Sequence, residues 1–173
     1  MVPFSFAGET FFATASGALY RPAETSLFVA DLHLEKASWF ARLGQFLPPY
    51  DSHATLSALA EEIGRIRPSR VFCLGDSFHD TFGCDRLAAD ARALLQELMS
   101  RVAWIWIVGN HDPELPRDLG GTVASDVAIG PLVFRHEPTG AVGEIAGHLH
   151  PKARVSTRGR SVERRCFASD TSR

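Results

Sequence analysis

Three short apolar segments, separated by long stretches of helical periodicity, constrain the fold of this sequence more than any other feature. The apolar segments are residues 26–30, 70–74 and 104–108, each about as long as one β-strand. Between them, residues 51–66 and 85–101 carry apolar side chains at the spacing of one helix face. Because consecutive strands joined by a helix usually pair in parallel, this alternation predicts two β-α-β units in a parallel sheet.

Shorter strand candidates flank these units on both sides. Before them the candidates are residues 4–6, 10–14 and 18–21, and after Pro116 they are residues 122–124, 132–135, 142–146, 153–157 and 162–168. Glycine and proline separate the later candidates, which is typical of a second, largely antiparallel sheet. Two sheets in one domain face each other, with helices on their outer sides. The sequence therefore predicts a single α/β domain over residues 1–173, folded as a four-layer α-β-β-α sandwich.

Composition excludes several classes of protein. The chain has 173 residues, of which 45% are hydrophobic and 22% charged, as in ordinary globular domains. No apolar segment approaches the ~20 residues of a membrane-spanning helix, and no basic region precedes an apolar stretch at the N-terminus. We therefore expect a cytoplasmic protein that does not bind membranes. The cysteines, 3 in number and scattered, suit neither a disulfide framework nor a Cys-type zinc site.

The C-terminal part of the sequence is strongly basic. Residues 152–173 hold seven basic and two acidic side chains, a net charge of +5, whereas the whole chain carries a net charge of -2. Such a segment either contacts phosphates of a nucleic acid or forms a solvated edge strand. The candidate phosphate-binding residues are Lys152, Arg154, Arg158 and Arg160.

Polar groups follow the predicted strands, and six of the 7 histidines belong to these groups. Because the carboxyl ends of strands in open α/β sheets border the ligand crevice, we expect the groups to converge on one place. The groups are Asp31-Leu32-His33, Gly75-Asp76-Ser77-Phe78-His79-Asp80, Gly109-Asn110-His111-Asp112, Arg135-His136 and Gly147-His148-Leu149-His150-Pro151.

The converging side chains are of the kinds that bind divalent cations. Carboxylate and imidazole together suit Mn, Fe or Zn. Side chains at i and i+2 share one face of an extended chain, so we expect each Asp-x-His or His-x-His pair to grip a cation. Seven ligands exceed the need of one ion and can hold two, roughly 3.5 to 4 Å apart, if one carboxylate bridges them. The expected ligands are Asp31, His33, Asp76, Asn110, His136, His148 and His150.

These groups, in this order and at these intervals, resemble the calcineurin-type metallophosphoesterase superfamily. The motifs DxH, GD, GNHD, a lone H and GHxH lie between residues 27 and 151. The resemblance implies a β-sandwich flanked by helices and a two-metal phosphoesterase centre, with Mn as the expected metal and Asp76 as the bridging ligand. It assigns Asp31, His33, Asp76 and His150 to the first metal, and Asp76, Asn110, His136 and His148 to the second.

The resemblance also assigns a catalytic role to His111. This residue matches the imidazole that meets the phosphate without binding metal and helps the leaving oxygen depart. General acid catalysis of this kind is worth typically about 10²- to 10⁴-fold. Many family members orient this imidazole with an Asp three places after the Asp of the GD motif, where this chain has His79. The candidates for that support are therefore His79, Asp80 and Asp112.

A narrower resemblance covers nearly the whole chain. The segments LFVADLHLEKASWFA, LGDSFHD, GNHDP, AGHLHPKA and RGRSVERRCF resemble the bacterial ligase-associated DNA-damage-response phosphodiesterases. This implies a phosphodiesterase or endonuclease that acts on DNA during repair, beside a DNA ligase, a helicase and an exonuclease. Chains of that subfamily continue past the segment matching RRCFAS, so we expect a shortened C-terminus that lacks the final strands of the sandwich.

Three functions are compatible with these motifs. The first is a metal-dependent phosphodiesterase acting on nucleic acid, which the basic segment favours. The second is a two-metal hydrolase of small phosphoesters or cyclic nucleotides, which would use the same centre. The third is an inactive protein-binding scaffold, which the presence of His111 beside every expected ligand disfavours. Motifs alone do not separate the first function from the second.

Overall fold

A seven-stranded sheet forms the centre of the molecule in the computed structural model, which describes residues 1–170. Its strands lie side by side in the order of the chain. Strands β1 to β4 pair antiparallel, and β4 to β7 pair in parallel, as the β-α-β alternation predicts. The strands are β1 (Val2–Phe6), β2 (Glu9–Ala13), β3 (Leu19–Arg21), β4 (Ser26–Val29), β5 (Arg70–Leu74), β6 (Ala103–Ile107) and β7 (Thr122–Ala124).

The helices follow the apolar periodicity where they are long. They are α1 (Lys36–Arg42), α2 (Asp51–Ile66), α3 (Gly83–Arg86) and α4 (Ala89–Arg101). The segment predicted as one helix from residue 85 is divided, because Leu87 and Ala88 have extended backbone between α3 and α4. The Asp51 carboxylate accepts a hydrogen bond from the Ala37 N–H (2.8 Å) and so caps α1 rather than its own helix. None of these helices is long and apolar enough to cross a membrane.

A second, smaller sheet faces the large one. Its strands are β8 (Asp126–Ile129), β9 (Leu132–Arg135) and β10 (Glu144–Ala146). Strand β8 pairs antiparallel with β9, whereas β10 pairs with β9 in parallel, so the sheet is mixed rather than largely antiparallel. Parallel pairing arises because the loop after β9 carries the chain back to the start of that strand before β10 begins. This return brings the residues after β9 and after β10 to the same end of the sheet.

Two apolar clusters hold the layers together, one on each face of the large sheet. Alternate side chains of β4, β5 and β6 enter one cluster with α2 and α4, and the remaining ones enter the other with β9. In the second cluster the ring of Phe28 stacks on Phe134 at 4.2 Å and on Phe72 at 4.8 Å between centroids. Residues 1–170 thus form the metallophosphoesterase-like sandwich of helices and two sheets. Helices α2 and α4 cover one face of the large sheet, and the second sheet packs on the other.

The basic segment forms a hairpin apart from both sheets. Strands β11 (Lys152–Thr157) and β12 (Arg160–Arg165) pair only with each other, and every residue in them is exposed. Arg158 and Gly159 make the two-residue turn, both with positive φ (46° and 79°), as a type I′ turn requires. The segment expected to extend the second sheet is therefore a separate β-ribbon, because neither of its faces carries enough apolar side chains to pack on the core.

Candidate active site

Five loops at the carboxyl ends of the strands meet at one edge of the sandwich. The loop after β4 runs beside the loop after β5, with the Asp31 N–H donating to the Gly75 carbonyl (3.2 Å) and the His33 N–H to the Asp76 carbonyl (2.9 Å). The His148 N–H, far along the chain, donates to the carboxylate of Asp31 at 3.1 Å. The structure thus brings the predicted ligands together where the sheet topology requires.

One group of possible metal ligands combines two carboxylates and two imidazoles. It consists of Asp31, His33, Asp76 and His150, whose coordinating atoms all lie within 4.8 Å of one another. The His33 and His150 Nε2 atoms are 3.3 Å apart, and the His150 Nε2 is also 3.3 Å from an Asp31 oxygen. These are the residues that the resemblance assigns to the first metal.

A second group lies next to the first and shares Asp76 with it. It consists of Asp76, His136 and His148. The His136 Nε2 lies 3.3 Å from an Asp76 oxygen and 2.9 Å from the side-chain oxygen of Asn110. The Asn110 oxygen is also 3.1 Å from the His148 Nδ1. The expectation that an i, i+2 pair shares one group therefore holds for Asp31 and His33 but not for His148 and His150, which belong to different groups.

The backbone at the candidate ligands is not extended. Asp31, His33, Asp76, His148 and His150 all have positive φ, at 53°, 46°, 49°, 68° and 44°. Each residue of this kind other than glycine costs about 1–3 kcal/mol and persists only where the surroundings hold it. The alternation of side chains in an extended strand is therefore not what brings these residues together. Left-handed turns in neighbouring loops do so.

Two glycines leave the space that the ligands occupy. A Cβ atom on Gly75 would lie 2.3 Å from the His136 ring, and one on Gly109 would lie 2.2 Å from an Asp76 carboxylate oxygen. Both distances are far below van der Waals contact, so a side chain at either place would displace a candidate ligand. This steric restriction explains why the GD and GNHD motifs have glycine at these two positions.

The donor atoms fit divalent cations. The His136 Nδ1 donates to the Leu74 carbonyl (3.1 Å), which leaves the Nε2 lone pair facing the Asp76 carboxylate. Burial lowers the pKa of His33 to about 4, so this imidazole is neutral at pH 7 and available to a metal. Lone pairs that converge without a proton between them repel one another, and a cation removes that repulsion. Both groups therefore have the chemistry of a metal site.

The imidazole of His111 lies beside the two groups without belonging to either. Its backbone N–H donates to an Asp76 carboxylate oxygen at 2.9 Å. Its Nδ1 is 2.7 Å from the carbonyl oxygen of His79, which can only accept, so Nδ1 carries the proton. The ring stacks on the ring of His79 with the centroids 5.2 Å apart. His111 also forms, with His33 and His79, a third group of possible metal ligands, which contains no carboxylate. Its Nε2 has no hydrogen-bond partner among residues 1–170.

The sequence left three residues as candidates for orienting the His111 ring. The structure shows that a backbone carbonyl, that of His79, contacts this ring. His79 provides its backbone carbonyl, whereas its buried ring has a pKa lowered by burial and then by nearby His111 and Lys36. Asp80 instead forms an ion pair with Arg86. The Asp112 carboxylate accepts hydrogen bonds from four backbone N–H groups, those of Asp76, Ser77, Phe78 and Gly109, at 2.7–3.1 Å. Asp112 thus shapes the loops that carry Asp76 and Asn110.

The candidate phosphate-binding residues lie on the β-ribbon and differ in their partners. Lys152 and Arg154 both contact the carboxylate of Glu163, at 3.4 and 3.1 Å. Arg158 and Arg160, at and beside the turn, have no carboxylate within ion-pair distance among residues 1–170. The turn therefore presents the two cations of this set that are free to meet a phosphate.

Several residues that border the site were not among the candidate site residues. Glu137 lies 3.8 Å from the His148 Nε2, whereas the Nδ1 of that ring faces Asn110. Trp39 and Phe40 of α1 pack against the ring of His79. The helical spacing of α1 is the only signal in the sequence that could have indicated such a contact.

Comparisons with known proteins agree with this geometry. The family model of the calcineurin-like phosphoesterases matches residues 25–161. The crystal structure of Pseudomonas putida nuclease MPE superposes with a TM-score of 0.75 and 27% sequence identity, over 95% of this chain and 80% of that one. This match is consistent with the narrower resemblance to ligase-associated phosphodiesterases. A search of curated proteins found no significant match. The chain therefore belongs to the calcineurin-like phosphoesterases and is a metal-dependent hydrolase of phosphate esters.

Proposed function

We propose that this protein is a dinuclear metal-dependent phosphodiesterase that cleaves nucleic acid, with DNA as its substrate. The observation that carries the proposal is the position of Asp76, which is 2% exposed and lies in both groups of ligands. A carboxylate offers one oxygen to each of two ions, which an imidazole in these positions does not. The similarity to a nuclease over most of the chain supports nucleic acid as the polymer.

The seven candidate ligands divide between two ions in this proposal. Asp31, His33, Asp76 and His150 hold the first, and Asp76, Asn110, His136 and His148 hold the second. Two divalent cations in such a site lower the pKa of a water and neutralise the charge on phosphate oxygens. Mn²⁺ is the proposed ion, and Fe or Zn suits the same ligands. Asn110, His148 and His150 are more exposed than Asp76, so a substrate phosphate approaches from their side.

His111 supplies the proton in this mechanism. Because its Nδ1–H donates to the His79 carbonyl, His111 acts as an acid only when Nε2 is protonated as well. The Nε2 proton then passes to the leaving oxygen, and the ring is left neutral with its proton on Nδ1. Its backbone N–H is held by Asp76, which fixes the ring relative to the bridging carboxylate. An imidazole placed in this way protonates the departing oxygen as the ester bond breaks.

The β-ribbon supports a polymeric substrate over a small one. It leaves the candidate ligand His150 through Pro151, so its first residue, Lys152, lies two places from the centre along the chain. Unpaired arginines at its turn add positive charge to a chain that is otherwise acidic. Phosphate contacts from Arg and Lys dominate the affinity of proteins for nucleic acids.

The cellular part of the proposal rests on the narrower resemblance. In it, the protein acts in DNA repair beside a DNA ligase, a helicase and an exonuclease. Its DNA substrate places it in the cytoplasm of a bacterial cell. Co-purification of tagged protein with these three enzymes from a bacterium that encodes all of them is the corresponding test.

The function is tested with one panel of substrates. Purified protein with Mn²⁺ is incubated with single-stranded, duplex and nicked DNA, a cyclic nucleotide and a phosphomonoester. We expect cleavage of at least one DNA substrate at a rate above that of both small molecules. The Asp76→Asn variant should lose metal, measured by elemental analysis, and activity together, because a neutral amide bridges two cations poorly.

The other outcomes of the panel point to the remaining functions. Hydrolysis of the cyclic nucleotide or the monoester without cleavage of DNA would favour a small-molecule hydrolase. Metal binding without any turnover would favour a scaffold. An Asp76→Asn variant that kept two ions per chain would contradict the bridging role.

A further inference from the structure

Arg86 joins two elements that border the site. Its guanidinium donates to both carboxylate oxygens of Asp80, and its Nε donates to the Ser38 hydroxyl at 3.0 Å. Asp80 lies in the loop after β5, and Ser38 lies in α1. The Ser38 hydroxyl in turn donates to the Glu35 carbonyl (2.9 Å) at the start of α1. One side chain thus fixes α1 against the loop that carries His79.

The elements that Arg86 joins enclose His79. The ring of Trp39 lies 5.0 Å from the ring of His79 in an edge-on arrangement, and that of Phe40 lies 5.8 Å away and nearly parallel. Both aromatic residues belong to α1. The His79 N–H donates to the Leu34 carbonyl at 2.9 Å. His79 is therefore held through its side chain by α1 and through its backbone by the preceding loop.

The position of the His79 carbonyl decides the orientation of His111. A shift of the His79 carbonyl oxygen by a few tenths of an ångström would lengthen its 2.7 Å hydrogen bond to the His111 Nδ1. The His111 ring would then be free to turn. We propose that Arg86 is a positioning residue for His111, acting through the Asp80 loop, α1 and the carbonyl of His79. The inference rests on the proposed catalytic role of His111. Arg86 itself touches neither His111 nor any candidate ligand.

The geometry of Arg86 explains why an arginine is needed. A guanidinium presents donors in a planar fork, so it binds a carboxylate with two nitrogens and a hydroxyl with the third. The hydrogen bonds from Arg86 lower the pKa of Asp80, which keeps the carboxylate charged. Both side chains are only 20% exposed, so solvent screens the pair less than it screens a surface ion pair. A lysine could keep the charge but could not make all three contacts.

The first test compares variants of the metal-loaded protein. Arg86→Ala should lower kcat by about ten- to hundredfold, because a small displacement of a catalytic group has an effect of this size. KM and the metal content should stay at the wild-type values. Arg86→Lys should restore only part of kcat. The matched control is Arg101→Ala, which breaks an exposed arginine–glutamate pair on α4 and should leave kcat unchanged.

The second test separates positioning from a general structural role. In a His111→Ala background, Arg86→Ala should change kcat by less than about twofold, because both substitutions remove the same step. Full additivity of the two losses would overturn the inference. So would an unchanged kcat in Arg86→Ala. Wild-type activity of His111→Ala would instead overturn the proposed role of His111.

A third measurement does not depend on turnover. In Zn²⁺-loaded protein labelled with ¹⁵N-histidine, long-range proton–nitrogen spectra report which ring nitrogen of His111 carries the proton. The wild type should show it on Nδ1, and Arg86→Ala should show a mixture of tautomers. An unchanged tautomer would contradict the inference. If Arg86→Ala does not fold, Ser38→Ala removes a single contact of the guanidinium and should shift both kcat and tautomer in the same direction.

Discussion

The histidines of the site differ in which ring nitrogen faces the centre. His136 uses Nε2 because its Nδ1 donates to the Leu74 carbonyl, and His148 presents Nδ1 with Glu137 near its other nitrogen. For His136 the choice is made by a neighbouring acceptor, the Leu74 carbonyl, and not by the imidazole itself. A metal requires these rings in the neutral form.

The stability of the metal-free protein should fall as the pH is lowered. Burial lowers the pKa of His33 from 6.5 to about 4. Between these values the unfolded chain takes up a proton that the folded chain does not, so stability rises with pH in this interval and levels off above 6.5. The measurement is the urea midpoint in EDTA at pH 4.5 to 7.5. In His33→Gln the dependence should be shallower, and an unchanged dependence would show that His33 is not its source.

Removal of the His111 side chain should leave the metals in place. The ring lies outside the two groups that share Asp76, and its own group with His33 and His79 contains no carboxylate. The residue contacts the Asp76 carboxylate through its backbone N–H, which an alanine keeps. We therefore expect His111→Ala to hold two ions per chain and to lose about 10²- to 10⁴-fold in turnover. Elemental analysis and steady-state kinetics check the two parts. Loss of one ion together with activity would make His111 a ligand.

The sequence predicts the residues of the centre better than the groups that orient them. Asp31, Asp76 and His136 stand in motifs at strand ends, where sheet topology brings them together. The carbonyl of His79 and the guanidinium of Arg86 have no such signal. Any residue provides a backbone carbonyl, and an arginine at the end of a short helix such as α3 is ordinary. Only the fold shows that the His79 carbonyl contacts the His111 ring and that Arg86 holds the loop carrying it.

At the scale of elements, predictability follows burial and length. The strands β4, β5 and β6 are buried on both faces and appear in the sequence as continuous apolar segments. Helices α2 and α4 are long enough for their periodicity to be seen. Helix α1 has seven residues and only one buried side chain, and β8 has none, so neither was predicted.

The turns at the candidate ligands show a second limit of prediction from the sequence, which concerns backbone conformation. Five non-glycine residues of the centre have left-handed backbone, which local preference disfavours. Such conformations exist because hydrogen bonds between loops hold them, as the Asp112 carboxylate does for the backbone around Asp76. No short stretch of sequence contains that information. The backbone conformation of one loop therefore cannot be predicted without the positions of the loops that hydrogen-bond to it.

At the scale of the whole molecule, the β-ribbon is the least supported part of the structure. A hairpin of two strands is marginally stable alone, and both faces of this one are exposed. Its cross-strand pair Val155–Val162 is the only apolar contact between opposite side chains of the ribbon. Contact with a polymer along its length would add the stability that the ribbon lacks.

The turn of the β-ribbon should contribute to the binding of DNA. Arg158→Ala with Arg160→Ala should weaken binding and reduce the slope of log K against log salt by about 2, since each lost phosphate contact changes it by about 1. Fluorescence anisotropy in EDTA, at several salt concentrations, measures both. Hydrolysis of a small chromogenic diester, measured beside it, reports on the metal centre.

A matched pair of substitutions controls for net charge. Lys152→Ala with Arg154→Ala removes the same two charges, but from side chains that already contact Glu163. We expect a smaller change in slope from this pair. Equal changes would mean that net charge alone governs binding. No change from either pair would make the ribbon a solvated surface, and a small-molecule substrate would then be favoured.

The strand order of the large sheet has a consequence for the synthesis of the protein. Because each strand lies beside its neighbour in the chain, the sheet can grow one strand at a time as residues leave the ribosome. The candidate metal centre cannot form in this way. Asp31 is synthesised early, whereas its neighbours His148 and His150 emerge 117 residues and more after it. A nascent chain therefore carries a nearly complete scaffold before it can hold both ions. On the proposed assignment of ligands, hydrolytic activity requires that His150 has left the ribosome.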